Sequence, residues 1–173
     1  ASRARSNFQP RGDEFVPLAI VTFPEIQADE FGWIEDLRGT HLPAPEAGVA
    51  PHVTLVFPAE ITTDDNLMMH MLGAAGSTQP IDASFRIAAP MVDPIKGGWT
   101  VRLLPDQGLS KLMRLHNFLY TGPFAPHLNL DASYVPHLTV GRATSGQQAQ
   151  ALSEELNSSV IEIEARFTTV DLL

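Results

Sequence analysis

Two short stretches of the chain share one residue pattern. "APHVTLVFP" (Ala50 to Pro58) and "YVPHLTVGR" (Tyr134 to Arg142) each contain proline, histidine, an apolar residue, threonine and a second apolar residue. In a strand, residues i and i+2 share a face. His52 and Thr54 therefore project together, as do His137 and Thr139, while Val53, Leu55, Leu138 and Val140 face the other way. Each strand thus pairs an apolar anchor face with a short polar face carrying one titratable ring and one hydroxyl. Two imidazoles in one cleft can divide near neutral pH into a neutral base and a protonated acid. That suits phosphodiester cleavage, in which one ring takes a proton from attacking water and the other gives one to the departing sugar oxygen. The threonine hydroxyls can donate to the non-bridging phosphate oxygens as their charge develops. The scheme calls for no metal and no cofactor.

The two histidines stand 85 positions apart (52 to 137), about half of the 173-residue chain. Pro51 and Pro136 suit the first position of a strand, where a missing N–H costs little ladder bonding. "FAPHLNL" provides an internal control: His127 follows a proline, but Asn129 stands where the hydroxyl residue belongs, so His127 is read as a loop residue. A metal-dependent hydrolase is the alternative that the six histidines invite. Neither a His-Glu-x-x-His helix nor a compact ligand cluster supports it, and His116 falls on an apolar helical stripe as a core histidine does.

The elements that must position these residues alternate along the chain. "FVPLAIVTFP" reads as a buried strand, a helix is predicted over about 26–37, and a Pro- and Gly-rich loop leads into "HVTLVF". "TTDDNLMMHMLGAA" carries threonine and aspartate cap signals and a stripe of Leu67, Met68, Met71, Leu72 and Ala75. "DASFRIAAPMV" and "GWTVRLLP" form a predicted hairpin around "DPIKGG". "DQGLSKLMRLHNFLY" is helical, with Leu109, Leu112, Met113, His116, Leu119 and Tyr120 at helical spacing. The strand "HLTVGR", a helix over about 147–156 and the strand region "VIEIEARFTTVDLL" close the chain. Each half holds one His-x-Thr strand followed by a loop and a helix, so an α+β fold with internal pseudosymmetry is expected.

Composition narrows the partners. A formal charge of −9 argues against gripping long duplex nucleic acid, which needs an extended basic surface. The absence of cysteine closes disulfide, thiolate–zinc and cysteine-nucleophile chemistry. Apolar runs are strand-length, so no membrane span is expected. The arginine-bearing start "ASRARSNFQPRGDEF" lacks an apolar segment of the secretory kind; residues 1–14 are read as a flexible lead-in, and the cytoplasm is the expected location.

At the two His-x-Thr motifs the sequence resembles the two-histidine (2H) phosphoesterase superfamily, which includes LigT-like 2′,5′-RNA ligases and cyclic nucleotide phosphodiesterases. Both family motifs match, as His52-Val53-Thr54-Leu55 and His137-Leu138-Thr139-Val140. The resemblance implies one bilobal, pseudo-twofold domain over 15–173, with two antiparallel sheets flanking a central cleft and helices outside. It implies metal-independent action on 2′,3′-cyclic phosphates or related phosphodiesters, on RNA ends or small cyclic nucleotides, and leaves 2′,5′-ligation open as a further activity; a monomer is expected. Carried over by residue, His52 and His137 become the acid/base pair and Thr54 and Thr139 the phosphate binders; His137 is read as activating water and His52 as protonating the leaving oxygen, an assignment that the motifs fit equally well in reverse.

The same resemblance points to substrate contacts at Tyr134 and Arg142, the latter only if Gly141 bends its strand. Phe23 near a strand end is a candidate base-stacking residue, and Lys96 and Trp99 are candidates for a rim. Phe57 is read as core, on the Val53 and Leu55 face. A nucleotide- or RNA-end-binding module with little catalysis is the remaining alternative.

Overall fold

The computed structural model describes residues 17–61 and 64–173. The predicted lead-in, and Thr62 and Thr63 of the predicted cap, lie outside the described residues. The elements run β1 (Leu18–Thr22), β2 (Pro24–Ile26), α1 (Ala28–His41), α2 (Ala44–Ala47), β3 (Val53–Ala59), α3 (Asp65–Ser77), β4 (Ile81–Val92) and β5 (Trp99–Gln107). They continue with α4 (Leu109–Leu119), a 3₁₀ segment (Gly122–His127), β6 (Leu138–Ala143), α5 (Gly146–Asn157), β7 (Ile163–Phe167) and β8 (Asp171–Leu172). The fold is α+β, with one sheet ordered β3-β1-β8 and another ordered β2-β7-β4-β5-β6. Every pairing in both is antiparallel.

The two sheets are joined by strands that change sheet. β1 pairs in the three-stranded sheet and β2 in the five-stranded one, with Phe23 alone between them; β7 and β8 make the reverse passage through Thr168, Thr169 and Val170. The Thr22 hydroxyl, fully buried, donates to the Thr169 carbonyl at 2.7 Å and ties the two passages together. The duplication expected from the sequence is therefore not a division of the chain into halves. The last strand belongs with the first motif, and β2 belongs with the second.

Local chemistry explains the helices. Asp64 caps α3 by accepting from the Leu67 amide at 2.8 Å, and Ser145 caps α5 by accepting from the Gln148 amide at 3.2 Å. The buried stripe of α3 is Leu67, Met71 and Ala74, and Leu72 is 58% exposed; the face predicted from sequence is thus rotated by part of a turn. α4 buries Leu112, Leu115, His116 and Leu119. Phe85, Phe124, Ile20, Ile34, Leu55, Leu103 and Leu138 fill the core, each contributing about 1.5–3 kcal/mol by leaving water. No helix among the described residues is long and apolar enough to cross a membrane.

Candidate active site

The two motif strands are both edge strands, β3 pairing with β1 and β6 pairing with β5. Burial alternates as the period of two requires. Val53, Leu55, Leu138 and Val140 are at most 1% exposed, and His52, Thr54, His137 and Thr139 are half-buried. The apolar residues lock each strand to the core while the polar ones remain within reach of a ligand.

Each strand then departs from regular pairing at the same point. In β3, Ile20 lies opposite Val56 and Val21 opposite Thr54, leaving Leu55 as an extra residue. In β6, Val101 lies opposite Gly141 and Arg102 opposite Thr139, leaving Val140 extra. A bulge thus follows each motif threonine, and a bulge re-aims the side chains beyond it. Arg142 lies opposite Thr100. Thr100 shares a face with Arg102, and Arg102 shares one with Thr139, so Arg142 comes to the threonine side. Phe57, three residues past Thr54, is brought to its threonine side in the same way; it is half-buried, off the Val53 face on which the sequence placed it.

The imidazoles are held alike. The Nδ1 of His52 lies 2.8 Å from the Ala50 carbonyl and that of His137 lies 2.6 Å from the Val135 carbonyl, each two residues upstream. A carbonyl only accepts, so Nδ1 carries the proton in both rings and Nε2 is left for chemistry. Burial, aided by the Arg102 cation and by His52, lowers the His137 pKa to about 4 against the pull of the Val135 carbonyl. Burial chiefly, with Arg38, also lowers that of His52, and the Ala50 carbonyl opposes. Phe23, at the passage between sheets, stands edge-on to His52 with ring centroids 5.9 Å apart.

Two further residues hold the motifs against one another. The buried Arg38 of α1 donates to the Thr139 carbonyl at 3.1 Å, to the Glu46 carbonyl at 2.8 Å and to the Val49 carbonyl. One guanidinium thereby fixes both the second motif strand and the loop entering the first. Tyr134 donates its hydroxyl to the Thr54 carbonyl at 2.9 Å, and its ring stacks on His116 with centroids 3.5 Å apart. His116 in turn holds the Leu55 carbonyl through Nδ1 at 2.7 Å, and the Tyr120 hydroxyl accepts from the Phe57 amide at 3.0 Å. These contacts occupy the otherwise open edge of β3.

The remaining candidates divide. Tyr134 has its hydroxyl and one ring face committed to this packing. Arg142 reaches the motif face but pairs with Asp93 at 2.6 Å and Glu46 at 3.3 Å. Burial raises the pKa of the Asp93 carboxylate, but the Lys96 and Ile95 amides and Arg142 outweigh it and hold that pKa lowered. Lys96 pairs with Glu46 at 3.0 Å and ties the β4–β5 turn to α2. Trp99 is three positions from Arg102, on the opposite face of β5, and packs so closely on α5 that a Cβ on Gly146 would come within 2.8 Å of its ring.

Arg102 was missed. It is 7% exposed and directly opposite Thr139, with half-buried Ala89, Met91 and Leu104 on the same sheet face. The signal was present in "GWTVRLLP", where Thr100 and Arg102 stand at i and i+2 inside an apolar strand. Among the other histidines, His70 faces the Leu119 carbonyl at 3.1 Å and stacks on Phe118, while His127 is exposed at the end of the 3₁₀ segment. No group of three His, Asp or Glu side chains among the described residues is arranged to hold a metal ion.

The family model described as the 2′-5′ RNA ligase superfamily matches residues 23–173. No curated protein matches the chain.

Proposed function

The chain belongs to the 2′-5′ RNA ligase superfamily, whose LigT-like, 2H phosphoesterase fold its two antiparallel sheets share, and from that membership we propose a metal-independent phosphodiesterase that opens 2′,3′-cyclic phosphates. The observation that carries this reading is the matched anchoring of the two imidazoles, each with Nδ1–H on a backbone carbonyl and Nε2 left free. A binding site needs donors and cations; two titratable rings in one tautomer are what acid/base transfer needs.

In the proposed reaction, Nε2 of His137 takes a proton from water as the water oxygen bonds to phosphorus. The bond from phosphorus to one ribose oxygen breaks, and that oxygen takes the Nε2 proton of His52, giving a phosphate monoester beside a free hydroxyl. The lowered pKa of His137 suits the base, since the ring stays neutral until well into acid. His52 is less perturbed and gains its proton as the substrate's anion enters the site. Thr54 and Thr139 donate to the non-bridging oxygens. Partners fitting this scheme are small nucleotides or RNA ends bearing a cyclic phosphate.

The reading is tested with a panel of cyclic and linear phosphodiesters, with each product identified as a 2′- or 3′-phosphate in the presence of EDTA. Turnover confined to 2′,3′-cyclic substrates, giving a single regioisomer, is expected. Turnover that EDTA abolishes would contradict the mechanism.

A further inference from the structure

Arg102 is a buried cation without a counter-ion. Its Nε donates to the Thr100 hydroxyl at 2.7 Å, but its outer nitrogens reach only the Val92 carbonyl at 3.4 Å and the Met91 sulfur at 3.9 Å. Among the described residues no carboxylate lies within the 4.0 Å of an ion pair. Asp93, the carboxylate whose field reaches it, is already taken by Arg142 and by the amides of Ile95 and Lys96. An unpaired guanidinium held out of water costs several kcal/mol, so a fold that retains one gains something for it outside its own packing.

The register says what that is. Arg102 stands directly across β5–β6 from Thr139, on the face that carries the Thr139 hydroxyl, so a phosphate oxygen held by Thr139 meets the free N–H groups of Arg102 next. We propose that Arg102 is the counter-ion of the substrate's phosphate, left unpaired by the protein until that anion arrives. This rests on the phosphodiesterase reading and deepens it. Arg142, with its two carboxylate partners, then anchors the β4–β5 turn and α2 beside the site, and Arg102 supplies the positive charge. The same cation faces His137 together with Asp93 of the β4–β5 turn and His52 ahead of β3, while Arg38 of α1 and Arg142 flank the strand.

The test compares wild type with Arg102→Met, which keeps the aliphatic stem and removes the charge. Calorimetric titrations use inorganic phosphate, adenosine 2′-monophosphate and adenosine 3′-monophosphate, beside the thermal midpoint of each ligand-free protein. Expected is a loss of about ten- to a hundred-fold in affinity for the monophosphates, with a midpoint equal to or above that of wild type. Equal affinity in the two proteins overturns the proposal, as does a lower ligand-free midpoint, which would mark the arginine as structural. Arg102→Gln, which keeps a donor for Thr100, carries the same comparison should the methionine variant not fold. A wild type that hydrolyses cyclic phosphates while Arg102→Met retains both rate and affinity sinks the role of Arg102 alone; a wild type that neither binds nor hydrolyses sinks the phosphodiesterase reading with it.

Discussion

His52 and His137 are made equivalent by one bond each, from Nδ1–H to the carbonyl two residues upstream, and made different by their surroundings. General acid/base groups contribute about 10²–10⁴ in rate, so His52→Ala and His137→Ala are each expected to lower kcat/KM for a 2′,3′-cyclic nucleotide by that factor in initial-rate assays. Thr54→Val and Thr139→Val remove one hydrogen bond to a charged group, about 1.5–3 kcal/mol, and should cost one or two powers of ten. Both histidines titrate below the usual 6.5, His137 at about 4. The free enzyme with one ring protonated and one neutral is most populated between about 4 and the lowered pKa of His52. kcat/KM should therefore pass through a maximum in mild acid and fall as pH rises beyond 6.5; a profile still climbing at pH 8 would contradict the pairing. The shared polar face of each His-x-Thr pair was readable from i, i+2 spacing. Arg102 was not, because its place beside Thr139 depends on which strand pairs with β6.

At the scale of the element, the motif strands work as bulged edges pinned by side chains from outside their sheets. Tyr134→Phe keeps the stack on His116 and removes the bond to the Thr54 carbonyl, a loss of about 1 kcal/mol that a urea midpoint will show. Gly108 enters α4 at φ 79°, and a Cβ there would lie 2.6 Å from the Asp82 carbonyl oxygen. Gly108→Ala should thus destabilise by at least about 1–3 kcal/mol in the same measurement. Periodicity located β3, β6 and α5 in the sequence, since their buried faces follow a period of two or 3.6. The bulges at Leu55 and Val140 are invisible to that reasoning: a bulge is a property of two paired strands, and one strand's sequence carries no record of its partner's register. For this reason the predicted parity of Phe57 failed, and the face of Arg142 turned on whether its strand bends.

At the scale of the molecule, two passages between sheets join the sheets that carry the two His-x-Thr strands. The internal repeat was legible, but the exchange of β2 and β8 was not, because strands of three and two residues carry no periodicity to say which sheet edge receives them. Stability should also respond to acid as a unit. His137 titrates near 6.5 when unfolded and near 4 when folded, so between those values the unfolded chain binds a proton that the folded chain does not. Stability is therefore full above about 6.5 and is lost as pH falls toward 4, by up to about 1.4 kcal/mol per pH unit from this residue. Buried His116, also lowered by burial, acts in the same direction. Thermal melts across pH 4–8 check the sign.

The central claim is that two histidines brought together from separate sheets share one acid/base reaction. It is tested most directly by the turnover of adenosine 2′,3′-cyclic monophosphate in wild type, in each single alanine variant and in the double variant, all in EDTA. Each single loss should be nearly as severe as the double, because neither ring completes the reaction alone. Unchanged turnover in either single variant would contradict the account.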